Sequence, residues 1–227
     1  MTLRTKVLPL IALLALSLLV PGSASALDRT ITVNGSATQA VPNDTAGLGF
    51  QVAKERNSRT AALRIVSVRL RAVIAAVQGV PGVGSGDVTT GRISVRKVSR
   101  DKRTLYRASE GISVILHQPD QAGEMVSAAL AAGATGTGGP RFFPGDPELA
   151  YESTLLLAFD QAKAKAAALA ARAGATLGPV VSIEEGSEVV PNQPEAGLKG
   201  AAAEPAPPVK PGSSTVTATV RAVFALE

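Results

Sequence analysis

Residues 213–226, Ser-Ser-Thr-Val-Thr-Ala-Thr-Val-Arg-Ala-Val-Phe-Ala-Leu, alternate apolar and polar side chains almost without a break. Val216, Ala218, Val220 and Ala222 fall on one side of an extended chain, and Thr215, Thr217, Thr219 and Arg221 on the other. Successive side chains of a strand point to opposite faces, so the pattern predicts a strand with one buried face. A closing strand of this kind is expected to pair inside a sheet. The stretch before it, 190–212, holds six prolines and reads as an internal Pro/Ala/Gly-rich loop rather than a tail.

Working back from that strand, 177–184 is a further strand candidate, and 147–173 is the longest predicted helix. Pro147 suits its first turn, Glu148 the positive end of its dipole, and Gly174 its C-terminal cap. Leu155, Phe159, Ala162, Ala166, Leu169 and Ala173 form the stripe expected to face the core. The Gly-rich stretch 133–145 carries a short strand around Arg141-Phe142-Phe143, and 121–132 is a short amphipathic helix. Segments 88–98 and 105–116 read as a hairpin with a polar connection over 99–104. Over 59–78, Leu63, Val66, Leu70, Val73 and Val77 recur at helical spacing. Strands at 30–39 and 45–54 flank the turn signal Pro42-Asn43-Asp44. The order β-β-α-β-β-α-β-α-β-loop-β predicts an α+β fold, a mixed and largely antiparallel sheet with helices packed on one face.

The first 26 residues read as a cleaved signal peptide. Arg4 and Lys6 precede an apolar run, Pro21-Gly22 breaks it, and Ala24-Ser25-Ala26 offers the small residues a signal peptidase needs. The expected mature domain is 27–227, exported to the periplasm or cell envelope or secreted, with no transmembrane helix. Cleavage removes two basic residues and no acid, so the formal charge of +5 falls to +3. With no Cys and one His, thiolate nucleophiles, disulfides and multi-histidine metal sites are excluded within one chain.

Several segments together resemble the SIMPL-domain family of bacterial exported proteins. Ile31-Thr32-Val33-Asn34-Gly35 followed by Val41-Pro42-Asn43-Asp44-Thr45-Ala46 is similar to the family's opening strand and Pro-Asp-x-Ala turn, with Asn43 inserted. Asp87-Val88-Thr89-Thr90 resembles its Asp-Ile-x-Thr strand entry. Leu105-Tyr106-Arg107-Ala108-Ser109 is similar to its Gly-Tyr-Arg-Ala-Ser segment, with Leu in place of Gly. Ala158, Ala162, Ala166 and Ala170 fit the alanine ladder of its long helix, and Pro211-Gly212 fits the entry to its closing strand. The resemblance implies an envelope protein; some members form ring- or channel-like oligomers. It carries no catalytic motif, so no enzyme activity, catalytic residue, metal or cofactor is expected.

The feature most particular to this chain is basic. Arg92, Arg96, Lys97, Arg100, Lys102, Arg103 and Arg107 stand against Asp101 alone, so 92–107 is +6 and the remaining mature chain −3. Such a patch can attract anionic lipid, acidic glycan or an acidic protein surface. It can equally be a solvated hairpin whose charges guard an exposed sheet edge. Nucleic acid is not expected, since Tyr106 is the one aromatic nearby for stacking. His117 has no recognisable partner for acid–base work or a pH switch. Glu184 and Glu185, adjacent on a strand, point opposite ways and cannot act as a carboxylate pair. The loop 136–140 departs from phosphate-binding patterns because Arg141 stands where a third glycine is needed. Asn34-Gly35-Ser36 and Asn43-Asp44-Thr45 are formal glycosylation sequons. Two readings follow: a non-enzymatic, self-associating envelope protein, or a monomeric periplasmic module binding a small or polymeric ligand between helix and sheet.

Overall fold

The structure, a computed structural model, describes residues 29–186 and 209–227. The expected signal peptide and residues 190–208 of the expected loop lie outside the described residues. The elements run β1 (Thr30–Pro42), β2 (Thr45–Arg56), α1 (Arg59–Gln78), β3 (Val88–Thr90), β4 (Ser94–Arg100) and β5 (Arg103–Leu116). A 3-10 turn at Pro119–Gln121 leads to α2 (Ala122–Ala131), β6 (Gly136–Phe143), α3 (Pro147–Arg172), β7 (Leu177–Glu185) and β8 (Ser213–Leu226). The α+β class and the antiparallel pairing are as expected. The strands are divided between two sheets, however: β1-β8-β7, and β3-β5-β2-β6 with β4 also on β5.

In the first sheet the alternating strand β8 lies between β1 and β7, paired along its length from Thr30↔Ala225 to Pro42↔Ser213. Its inward residues Ala218, Val220, Ala222 and Phe224, with Val33 of β1, pack under Ala158, Ala162 and Ala166 of α3. The buried positions of α3 are Ala150, Thr154, Ala158, Ala162, Ala166 and Ala170, a strict four-residue ladder. The stripe expected from hydrophobic spacing is therefore corrected. Ala162 and Ala166 belong to it, Leu155 and Phe159 pack at its margin, and Leu169 is 54% exposed. Small side chains let the helix lie directly on the sheet. A Cβ built on Gly35 of β1 would overlap the Ala158 carbonyl oxygen and stand 2.8 Å from Ala162 Cβ. Asp146 caps the helix, its Oδ1 accepting from the Leu149 N–H at 2.8 Å, and Gly174 follows it with φ +72°.

The second sheet has its own core. Ala62, Val66, Leu70, Val73 and Val77 of α1 cover Leu48, Phe50 and Val52 of β2 and Ala108, Ile112 and Val114 of β5, with Met125 and Ala129 of α2 beside them. The α1 bounds match the sequence reading, and the Ser58 hydroxyl caps it by accepting from the Ala61 N–H at 3.2 Å. The expected hairpin is corrected in two respects. The segment 88–98 is two strands, β3 and β4, both paired with β5 and separated where the Gly91 N–H donates to Gly111 O at 2.8 Å. The polar connection is also shorter than 99–104, because Ser99 pairs with Thr104 and Arg100 with Arg103. Asp101 (φ 48°) and Lys102 (φ 62°) alone make the turn. Two consecutive left-handed residues match the twist of the flanking strands, as in type I′ hairpins.

Candidate anionic-surface site

Strand register sorts the basic residues. Directly opposed residues of an antiparallel pair lie on the same face, so Arg96↔Arg107, Val98↔Leu105 and Arg100↔Arg103 share one face of the β4–β5 ribbon. Four arginines thus form two cross-strand pairs, one on either side of the half-buried Val98 and Leu105. The other face carries Val95↔Ala108 and Lys97↔Tyr106, and it meets α1, where the Arg59 guanidinium lies 6.0 Å from the Tyr106 ring centre. Lys97 is therefore separated from the four arginines by the ribbon. Lys102 is at the turn, and Arg92 lies in the break between β3 and β4.

One carboxylate enters this face. Glu55 of β2 is paired with Arg107, and its oxygens lie 3.4 Å from Arg107 Nη1 and 3.0 Å from Arg100 Nε. It engages one arginine of each pair. Among the described residues no carboxylate reaches Arg96 or Arg103. Like charges directly opposed across a sheet destabilise it by roughly 0.2–1 kcal/mol per pair. An exposed ion pair such as Arg100–Glu55 recovers a comparable amount at most. The positive charge is concentrated in the hairpin: residues 43–143 hold 14 Lys+Arg against 7 Asp+Glu, a net +7 of which 92–107 supplies +6. Glu55 was not legible as part of the site, because only the β2–β5 register brings it alongside Arg107.

The remaining candidates sort differently. His117 does have a partner: its Nε2 lies 3.3 Å from Oδ2 of Asp87. The Gly84 N–H donates to that same oxygen at 2.7 Å and, with His117, holds the Asp87 carboxyl below its ordinary range. Pairing of β3 with the end of β5 creates this contact, a relation the sequence separation hides. Glu184 and Glu185 point opposite ways as expected: Glu184 lies 3.4 Å from Arg221 Nη1, and Glu185 accepts from the Tyr151 hydroxyl at 2.9 Å. Residues 136–140 are not a loop but the start of β6, paired with β2. Of the sequon asparagines, Asn34 is exposed, whereas Asn43 is only 4% exposed and hydrogen-bonded through both ends of its amide.

The space between α3 and its sheet, where a ligand was one expectation, is closed by the Gly35–Ala158 approach. An open cleft of about 450 Å³ does lie on this sheet, its lining including Asn34, Ser36, Lys165, Glu184, Val220 and Arg221. Its charges are engaged locally, Lys165 donating to Asn34 O at 3.1 Å and Arg221 facing Glu184. Among the described residues no cluster of His, Cys, Asp or Glu is arranged to hold a metal, and no helix is long and apolar enough to cross a membrane.

Two antiparallel sheets, each backed by helices, with an arginine-faced ribbon at one edge, define an α+β protein whose most distinctive surface is cationic. The family model for SIMPL, described as a protein of unknown function (DUF541), matches residues 31–224, and the chain belongs to that family. No curated protein matches the chain.

Proposed function

We propose that the chain is a non-enzymatic exported envelope protein that self-associates and lays the arginine face of its β4–β5 ribbon on an anionic surface. The observation that carries this reading is the pairing of Arg96 with Arg107 and Arg100 with Arg103 on one face, with Glu55 the single carboxylate among them. Edge protection accounts for charge on β4, the outer strand, but not for Arg107, which lies on β5 between β2 and β4. An anion laid across the face relieves both opposed pairs at once. Anionic lipid headgroups, acidic glycans and acidic protein surfaces supply that chemistry, and each basic residue near a charged membrane contributes about 1 kcal/mol.

Self-association is supported by the first sheet, whose outer strands β1 and β7 each pair on one side only among the described residues. On β7, Val180, Val181 and Ile183 are exposed, and α3 exposes Leu149, Leu156 and Leu157. Unprotected apolar edges favour pairing with another chain. Light scattering on 27–227 tests this part: an oligomer is expected, and a strict monomer at high micromolar concentration removes it. Sedimentation with anionic and neutral vesicles tests the other part. The wild type is expected to sediment with anionic vesicles only, and the Arg96→Ser/Arg100→Ser/Arg103→Ser/Arg107→Ser variant to remain in solution. Equal partition of the two proteins would remove the surface-binding part.

A further inference from the structure

The two halves of the molecule meet at Asn43-Asp44. No strand of one sheet pairs with a strand of the other, and the two hydrophobic cores share no residue. The chain passes between them at 43–44 on the way from β1 to β2, and at 144–146 on the way from β6 to α3. It passes again at 209–212, where Val209 packs against the core under α1 while Ser213 opens β8 of the other half.

These three crossings are tied to two adjacent side chains. The Asn43 amide donates to Pro211 O at 2.8 Å and accepts from the Ser214 hydroxyl at 2.6 Å, and the Asn43 N–H donates to Gly212 O at 3.1 Å. Asp44 Oδ1 accepts from the Gly145 N–H at 2.6 Å and from the Thr45 hydroxyl at 3.2 Å. The approach at Gly145 leaves no space for a side chain, since a Cβ there would stand 2.6 Å from Thr45 Oγ1 and 3.0 Å from Asp44 Oδ1. Asn43 thus holds the end of the β1–β8 ladder to the third crossing, and Asp44 holds the start of β2 to the second. Asn43 is buried, so opening its bonds leaves donors and acceptors unpaired, and the exposed Asp44–Gly145 bond adds a short tether beside them.

We infer that Asn43 and Asp44 form a clasp that fixes the orientation of the two halves, and that opening it lets them move as separate bodies. This goes beyond the proposed function and does not depend on it. The chain has no cysteine, so spin labels can be placed at Arg71→Cys on α1 and Lys163→Cys on α3, both exposed, without background. With the clasp intact, the distance between the labels is expected to give one narrow peak. The Asn43→Ala/Asp44→Ala variant is expected to broaden and shift that peak while α1 and α3 stay protected from hydrogen exchange. A peak unchanged in position and width overturns the inference. If that variant does not fold, Gly145→Ala decides, because its added methyl presses on Asp44 without deleting a donor: broadening supports the clasp and an unchanged peak overturns it.

Discussion

Replacing Gly35 by Ala tests how α3 is held on the first sheet. The added methyl would overlap the Ala158 carbonyl oxygen and stand 2.8 Å from both Ala162 Cβ and Ala162 N. All three atoms belong to the helix backbone or to an alanine, so no side chain can rotate away. Either α3 lifts from the sheet along its alanine ladder, or β1 bends and loosens its pairing with β8. Overpacking that side chains can absorb costs roughly 1–3 kcal/mol, and a clash with backbone belongs at or above the top of that range. For a domain of this size about 3 kcal/mol lowers the melting midpoint by about 6–12 °C. Thermal unfolding followed by circular dichroism reads the midpoint, and hydrogen exchange locates the loss, which should fall in α3, β1 and β8 and spare α1. Gly111→Ala is the internal control: its methyl would meet Phe50 O at 3.5 Å, an ordinary contact, and is expected to be neutral or to stabilise by about 0.5–1 kcal/mol. A Gly35→Ala protein that melts with the wild type would refute the close-packed reading of the helix.

Further expectations concern the ribbon and its base. Asp101→Asn/Lys102→Gly places residues that accept positive φ where the turn requires it, and should raise the melting midpoint by the equivalent of about 0.5–1 kcal/mol; a lower midpoint contradicts the turn geometry. Asp87 titrates below its ordinary value of 3.8, so its contribution to stability is present above that value and lost as pH falls through the lower, folded value. Asp87→Asn should therefore remove part of the acid-side loss seen in the wild type, and superimposable melting midpoints from pH 6 to pH 2, about the acid range of carboxylates, would exclude a role for the Gly84–Asp87–His117 contact. Thr154→Val keeps the shape of the one buried polar side chain on α3 but deletes its bonds to Ala150 O and Gln39 Oε1, and should cost about 1 kcal/mol by denaturant titration; an unchanged midpoint shows those bonds to be dispensable.

How far the sequence discloses this molecule depends on what kind of signal each element carries. Helix α1 is legible to the residue because Val66, Leu70, Val73 and Val77 are large and regularly spaced. The face of α3 is not legible from hydrophobicity, since alanines carry little apolar weight beside Leu155, Phe159 and Leu169. The ladder Ala158, Ala162, Ala166, Ala170 was visible through its resemblance to a family pattern, and the close approach at Gly35 supplies its physical cause. A single alternating pattern cannot reveal that the strands divide into two sheets, because alternation gives a face and not a partner. The same limit applies to the site. The seven basic residues could be read off directly, but which of them share a face follows from the Arg96↔Arg107 register. Glu55 and the Asp87–His117 pair come from contacts between strands distant in the chain.

The surface-binding claim is tested most directly by removing equal charge from two places in one ribbon. Arg96→Ser/Arg103→Ser deletes the two arginines of the shared face that Glu55 does not reach, and Lys97→Ser/Lys102→Ser deletes one residue of the opposite face and one of the turn. Affinity for vesicles containing anionic lipid is then compared at one fixed salt concentration. The account predicts a loss of about 2 kcal/mol, or about 30-fold, for the arginine variant and a clearly smaller loss for the lysine variant. Equal weakening of both would show that net charge alone matters, and no weakening of either would contradict the proposed role of the arginine face.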